Sequence, residues 1–357
     1  YQSLTTNTTG SSNTAVGQSA LSTNSTGEGN TAIGRQALIA NTTASNNTAV
    51  GYQSLYGNTT GEYNNALGAT ALDANTTGRL NNAFGYAALG ANTTGDSNVA
   101  IGHAALDANT TGDSNTAVGA DALTANTTGA NNTAVGNQSL DANTTGAYNV
   151  GIGDGAAGLN TTGDSNVAVG LNALAANTTA SNNTAVGRDA LLANTTGDRN
   201  VAVGSTALDA NTTADGNTAV GYASLSANTG SELNTAFGFN ALRLYNNTSG
   251  SAYNTAVGAL AGDQLTTGVQ NVIVGGLAGD ALTVGTRNVV LGTGALTADT
   301  QGSMSTALGH FALAAQNFTS ATNVYNVAVG HNAGAAITTG TNNTLIGGLA
   351  GDALTDA

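Results

Sequence analysis

Large apolar residues recur along the chain with a period of seventeen residues, and each is followed directly by a glycine. One repeat reads Asn-Thr-Ala-Val-Gly-x-x-Ala-Leu-x-Ala-Asn-Thr-Thr-Gly-x-x, and we number its positions one to seventeen from the first Asn. The position-five glycine recurs from Gly17 to Gly347, with two longer intervals, which makes twenty repeats. A fixed period of this kind is typical of a solenoid, in which each coil contacts only its neighbours.

The spacing of the apolar residues indicates strands rather than helices. A helical repeat would show apolar residues at i, i+3, i+4 and i+7, and this repeat does not. Short strands of three to five residues fit better, with corners at the glycines of positions five and fifteen, where a positive φ is easy. The sequence therefore predicts an all-β fold, a β-solenoid of the β-roll or β-helix kind, with about twenty coils of seventeen residues.

Positions four and nine carry the large apolar side chains and are predicted to point into the coil. All twenty residues at position four are large and apolar, and position nine is Leu in most coils. The predicted core comprises Val16, Ile33, Val50, Ile101, Val118 and Val135 at position four and Leu106, Leu123 and Leu140 at position nine.

Position three is Ala in 16 of the 20 coils. If position four faces inward, strand alternation turns these alanines outward. Small side chains in register allow a second backbone to come close, so we expect parallel copies of the chain to pack along this alanine stripe, at Ala100, Ala117 and Ala134. The alternative is that the alanines line a narrow interior.

Asparagine at positions one and twelve flanks the turns. Identical Asn side chains that stack from coil to coil can hydrogen-bond to one another along the axis. We predict such a ladder at position twelve, formed by Asn41, Asn58, Asn75, Asn92, Asn109 and Asn126. The same residues stand in Asn-x-Ser/Thr sequences, so glycosylation is the alternative interpretation.

The repeat changes from about residue 259. In four coils Gly replaces Leu at position nine, while position twelve becomes Leu265, Leu282, Ile337 or Leu354. One aliphatic side chain at either position would fill the same buried volume, so Leu265 and Leu282 join the predicted core. We therefore divide the chain into regular coils, 1–258, and variant coils of the same solenoid, 259–357, and expect both to belong to a longer protein.

Composition excludes several classes of function. The net charge of −14, from 20 acidic residues and six arginines, disfavours nucleic acid, because few groups could neutralise phosphates. The segment contains no run of eighteen apolar residues, so we expect no membrane span in it. The lack of cysteine is compatible with an extracellular protein held together by stacking.

Candidate chemistry is sparse. His103, His310 and His331 all fall at position six, together with several aromatic residues, and two neighbouring imidazoles make only half of a zinc site. No Ser-His-Asp set can be assembled from positions that must keep to their faces. We therefore predict no catalytic, cofactor-binding or metal-binding residues and no enzymatic activity.

The segments Asn30-Thr31-Ala32-Ile33-Gly34 and Asn98-Val99-Ala100-Ile101-Gly102 resemble the N-S-V-A-I-G phrase in the heads of trimeric autotransporter adhesins of the YadA type. The full repeat is similar to repeats in bacterial surface fibres and phage tail-fibre-like proteins. The resemblance implies a parallel homo-oligomer, a trimer or higher, that lies outside the cell or on its surface and attaches to a target there.

Three functional hypotheses follow. The first is a structural shaft segment of an extracellular fibre or adhesin. The second is a module that binds carbohydrate or a cell surface through position six and two insertions, residues 243–247 and 315–320. The third, ranked behind these, is ice binding by threonine ladders, which the separation of the threonines onto different faces disfavours.

Overall fold

The computed structural model describes residues 2–248 and 250–355. Within them the protein is an all-β solenoid of about twenty coils and has no helix, which confirms the predicted fold class. The chain divides into two compact units, Tyr1–Ala180 and Ser181–Ala357. The change from regular to variant coils, at residue 259, lies within the second unit.

Each coil of the first unit contributes one three-residue strand from positions two to four. Successive strands pair in parallel with a register of seventeen residues, so that Thr116, Ala117 and Val118 lie beside Thr133, Ala134 and Val135. The strands are β1 (Thr14–Val16), β2 (Thr31–Ile33), β3 (Thr48–Val50), β4 (Asn65–Leu67), β5 (Asn82–Phe84), β6 (Val99–Ile101), β7 (Thr116–Val118), β8 (Thr133–Val135), β9 (Val150–Ile152) and β10 (Val167–Val169).

The second unit repeats this arrangement and adds a small second sheet at its second insertion. There β18 and β20 pair in parallel, while the other strands form the main sheet. The strands are β11 (Thr184–Val186), β12 (Val201–Val203), β13 (Thr218–Val220), β14 (Thr235–Phe237), β15 (Thr255–Val257), β16 (Val272–Val274), β17 (Val289–Leu291), β18 (Gly302–Ser303), β19 (Thr306–Leu308), β20 (Thr322–Asn323), β21 (Val327–Val329) and β22 (Thr344–Ile346).

The strands face the opposite way from the prediction. Position three points inward, and position four points outward and is buried in none of the twenty coils. The predicted core residues at position four are therefore wrong: these are Val16, Ile33, Val50, Ile101, Val118 and Val135, of which Val16 is 58% exposed. The interior is narrow, and in most regular coils it has a small residue at position three beside a leucine at position nine.

The interior of a regular coil contains one large side chain. Positions one, three, eight, nine, twelve and fifteen are buried, and they carry two Asn, two Ala, one Leu and one small residue. Leu106, Leu123 and Leu140 are fully buried, as are Leu265 and Leu282 at position twelve of the variant coils. One leucine, packed between alanine columns, is thus the main apolar contribution of most regular coils. The coil of Gly153 is an exception, because position nine is Ala157 and Leu159 is exposed.

The corners differ in part from the prediction. Position five does require glycine: Gly119 has φ +143°, and a Cβ there would lie 2.3 Å from the carbonyl oxygen of Gly136. Position fifteen does not adopt a positive φ, so the prediction of a positive-φ corner at this position was wrong. The chain instead turns at positions seven, nine and seventeen, and Leu123 has φ +52°. A left-handed leucine costs about 1–2 kcal/mol, which its burial, worth about 1.5–3 kcal/mol, offsets.

Candidate functional site

The asparagine ladder predicted at position twelve is confirmed. The Nδ2 of each ladder residue donates to the Oδ1 of the asparagine in the preceding coil, over 2.8–3.1 Å from Asn41 through Asn58, Asn75, Asn92 and Asn109 to Asn126. The same Nδ2 also donates to the position-fifteen carbonyl of its own coil, as from Asn126 to Gly129 over 2.9 Å. These amide nitrogens are buried and engaged, so the folded coil does not present them as glycan acceptors.

A second asparagine ladder runs at position one. The backbone N–H of Asn132 donates to the Oδ1 of Asn115 over 3.0 Å, and the Nδ2 of Asn132 donates to the carbonyl of Gly146 over 2.8 Å. In regular coils that have Asn at position twelve, the position-fifteen carbonyl thus accepts from two asparagines, as Gly146 does from Asn132 and Asn143. The two ladders satisfy the polar groups that a narrow interior would otherwise bury at a cost of about 1–3 kcal/mol each.

The alanine stripe does not face solvent. Ala100, Ala117 and Ala134 are fully buried inside the coil, so the predicted lateral contact through them is wrong. The alternative interpretation, that these alanines line a narrow interior, is the one that agrees with their burial. Any contact with another copy must use a different column.

The outward side chains at positions two and four form what we call the position-four face. Position two is Thr, Val or Asn, and position four is Val, Ile, Leu or Phe in every coil. In the first unit Ile101 is 41% and Val135 is 37% exposed, although the neighbouring coils stack against both. No charged residue occupies either position in any coil. Within each unit the position-four face is therefore uncharged and rich in apolar atoms, and exposed patches with these properties are typical of interaction surfaces in soluble proteins.

Acidic residues lie away from this face. At position sixteen Asp96 accepts the backbone N–H of Arg79 through Oδ1 over 2.7 Å, and its own N–H donates to Asp113. The carboxylates therefore cap a row of backbone donors. At position ten, partial burial raises the pKa of Asp73, Asp107, Asp141 and Asp209 above the ordinary value for aspartate.

The position-six column is exposed and carries stacked rings. Tyr86 stacks on His103 with centroids 5.6 Å apart, and His310 stacks on His331 at 5.2 Å. Among residues 2–248 and 250–355, no cluster of three or more His, Cys, Asp or Glu side chains is arranged to hold a metal ion. The column offers flat surfaces rather than a coordination shell.

The two insertions direct large side chains inward. Tyr245 takes the place of Asn at position twelve, is fully buried, and its hydroxyl accepts from the Oγ of Ser231 over 3.4 Å. The second insertion packs against Asp299, at position twelve of the preceding coil. Asp299 is fully buried and accepts hydrogen bonds from the N–H groups of Gly302 and Phe318 and from the Nε2 of Gln316. Tyr245 and Phe318 are thus part of the interior rather than a surface for partners.

The signal that the sequence analysis missed was the contrast between neighbouring positions. Position three is held to Ala in most coils, whereas position four varies from Val to Phe. A position that accepts only one side-chain size is packed against neighbours. A position that is only apolar need not be buried, because apolar atoms contribute more than half of a protein's surface.

No protein-family model matches the chain, and no curated protein matches it either. In the described part of the chain, no helix has the length and apolar character needed to cross a bilayer.

Proposed function

We propose that this segment is a shaft of an extracellular fibre or adhesin, in which parallel copies associate through the position-four face as a trimer or higher oligomer. The observation that carries the proposal is the outward column of Val, Ile, Leu and Phe at position four, unbroken in every coil. A single chain in water would leave these side chains exposed or half-exposed at every coil. A second copy covers them.

Charge and spacing favour a second copy of the same chain as the occupant. The protein carries a net charge of −14, so copies repel one another except where a face lacks charge, and the position-four face lacks it throughout. A parallel copy also has the same rise per coil. Each position-four side chain can therefore meet its equivalent, coil after coil, without loss of register.

The function follows from this geometry. Within each unit the coils stack on one another, and copies that join side by side would give an elongated assembly rather than a binding pocket. Such an assembly suits a stalk that holds a binding element away from a surface, which agrees with the resemblance of the repeat to bacterial surface fibres.

Light scattering on the purified chain tests the proposal. We expect a mass of at least three times 34.5 kDa, as a trimer or higher oligomer requires. The triple variant Ile101→Lys, Val118→Lys and Val135→Lys should lower it, because three like charges per chain would then meet across the contact. The matched control is Thr111→Lys, Thr128→Lys and Thr145→Lys, at exposed sites of the same coils. A monomeric wild-type chain, or an equal loss of mass in both variants, would overturn the proposal.

A further inference from the structure

Five consecutive coils of the first unit place an ordered series of side chains at position six. The series is Arg35, Tyr52, Ala69, Tyr86 and His103. Tyr52 is 45% and Tyr86 is 59% exposed, and a single alanine coil separates them. The methyl group of Ala69 leaves an opening between two tyrosine rings, which we call the Ala69 slot.

Each tyrosine is supported on the side away from the slot. The guanidinium carbon of Arg35 lies 5.8 Å from the centroid of the Tyr52 ring, within the range of a cation–π contact. The imidazole of His103 stacks on Tyr86 with an interplanar angle of 18°, and its Nδ1 lies 3.5 Å from Asp121. The outer faces of both rings are therefore covered, while the inner faces border the slot.

The backbone fixes the width of the slot. The N–H of Thr70 donates to the carbonyl of Tyr52 over 2.9 Å, and the N–H of Ala87 donates to that of Ala69 over 3.1 Å, so the three coils are hydrogen-bonded beside position six. Adjacent strands lie about 4.8 Å apart, which places the backbones of Tyr52 and Tyr86, two coils apart, at a separation of about 9.6 Å. The slot is thus built into the repeat rather than formed by a loop.

The width of the Ala69 slot indicates the shape of the ligand that would fit it. Carbon atoms in contact lie about 3.5–4.0 Å apart, so a flat ring between two aromatic faces needs about 7–8 Å from wall to wall. The Ala69 slot is wider, by roughly the pucker of a saturated six-membered ring and its axial hydrogens. Hydroxyl groups of such a ring would meet the tyrosine phenols and the Thr70 hydroxyl, which donates to the Ala69 carbonyl over 2.8 Å.

We propose that the Ala69 slot binds a pyranose, held between the inner faces of Tyr52 and Tyr86. The site goes beyond the shaft function and does not depend on it, because position six and position four lie on opposite sides of the corner glycine. A fibre with this slot would carry a weak sugar-binding site on its side, whose strength on a surface comes from the number of copies in the bundle.

The second unit provides a comparison without a slot. Tyr222 and Phe239 occupy adjacent coils and stack directly at 5.6 Å, with Ser205 and Ala259 at position six on either side. Both rings are more than half exposed, yet no alanine coil separates them. Exposed aromatic area alone is therefore present at both places, and only the first has two facing walls.

Saturation-transfer NMR with methyl β-glucopyranoside and methyl β-galactopyranoside tests the proposal, with indole as the planar probe. We expect at least one sugar to bind wild type. Tyr52→Ala and Tyr86→Ala should each weaken that binding about tenfold, and Ala69→Tyr, which fills the slot, should abolish it. Ala120→Tyr extends the same stack beyond His103 and is the matched control, and Tyr222→Ala removes an exposed ring elsewhere. Neither control should alter binding.

Three results would overturn the proposal: no binding of either sugar to wild type, loss of binding in Ala120→Tyr equal to that in Ala69→Tyr, or slot-dependent binding of indole but not of sugars. The measurement is repeated on the lysine triple variant of the position-four face. Sugar binding that persists there, with a changed mass, separates this site from self-association.

Discussion

Regular coils of the first unit and variant coils of the second build the same backbone around different interiors. Gly119 and Gly275, at position five, have φ of +143° and +137°, and position nine has φ of +52° at Leu123 and +51° at Gly279. The turns are therefore independent of what fills the coil. The comparison shows that the corner glycine and the strand register specify the path of the chain, while the interior can change.

The exchange of side chains involves three positions rather than two. In the variant coils position three grows to Ile273, whose Cδ1 lies 3.0 Å from the place where Gly262 would carry a Cβ and 3.6 Å from that of Gly279. Leu345 likewise lies 2.8 Å from the equivalent points of Gly334 and Gly351. One large side chain at position three thus uses the space of two leucines at position nine, and leucine at position twelve completes the packing.

The polar part of the interior is reduced in the same coils. Gly129 of a regular coil accepts from both Asn115 and Asn126, whereas Gly285 of a variant coil accepts from Asn271 alone. One donor satisfies a buried carbonyl. A whole column of amides can therefore be replaced by leucine, although removing one member leaves its neighbours without partners.

The largest expected effect is a charge in the asparagine ladder. Asn126→Asp replaces the Nδ2 that donates to Asn109 and Gly129, each over 2.9 Å, by an oxygen that faces two acceptors in a buried site. We expect a loss of about 3–5 kcal/mol, confined to neighbouring coils. Hydrogen exchange resolved by residue is the measurement. Thr128→Asp, exposed in the same turn, should change little, and equal effects of the two would contradict the buried ladder.

The next effect concerns the shared apolar volume. Leu123→Gly should lower the free energy of unfolding by up to about 2–5 kcal/mol through the cavity that it leaves. Glycine adopts the left-handed conformation without strain, which returns about 1–2 kcal/mol of that loss. Ala134→Ile alone should overpack the coil and cost about 1–3 kcal/mol. The double variant has Gly at position nine and Ile at position three of the next coil, as Gly262 and Ile273 do in the variant coils. It should recover part of the stability that each single substitution loses.

A double-mutant cycle by chemical denaturation measures this recovery. We expect a coupling of about 0.5–3 kcal/mol. Strictly additive losses would show that positions three and nine occupy separate volumes. Ala120→Ile, at half-buried position six outside the coil interior, is the control substitution, and it should not couple to Leu123→Gly.

The smallest effect distinguishes two aspartates at position ten. Asp209 in a regular coil has a pKa raised by burial, and its Oδ1 finds no donor among the described residues, whereas Asp263 binds Arg243 over 2.7 and 2.9 Å. A raised pKa means that the stabilising contribution is full below the ordinary pKa of about 3.9 and is lost as pH rises through the raised value.

Asp209→Asn should therefore raise the free energy of unfolding at pH 7 and flatten its dependence on pH, by only a few tenths of a kcal/mol because the group is partly solvated. Asp263→Asn should lower stability, by about 1 kcal/mol, through the loss of the Arg243 pair. Thermal unfolding between pH 3 and pH 7 checks both. The same sign for both variants would contradict the comparison.

The period, the short strands, the glycine at position five and the asparagine ladder could all be predicted from the sequence. Each depends on spacing or on one residue type repeated in register. The facing of the strand could not be predicted from apolarity, because position four is apolar on the outside. To decide which side of the strand faces inward, the width of the interior must be known. The constant size of Ala100, Ala117 and Ala134 indicates a narrow interior, and the folded coil shows it directly.

The turns at positions seven, nine and seventeen were also beyond the sequence. Gln138, Leu140 and Tyr148 have φ between +52° and +60° although none is a glycine or an asparagine. Local preference opposes this conformation, and packing and the backbone ladder between coils impose it. The Ala69 slot differs from the turns: the order Tyr52, Ala69, Tyr86 at position six is visible in the sequence, but the backbone pairing of the three coils comes from the structure.

Thiol cross-linking tests the central claim most directly, that position three is inside the coil and position four joins copies of the chain. The protein has no cysteine, so an introduced cysteine supplies the only thiol, and any cross-link must come from that position. We predict that Val118→Cys forms a disulfide between copies under mild oxidation and that Ala117→Cys, one residue away, neither cross-links nor reacts with a maleimide in the folded state. Cross-linking through Ala117→Cys with an inert Val118→Cys would contradict the account.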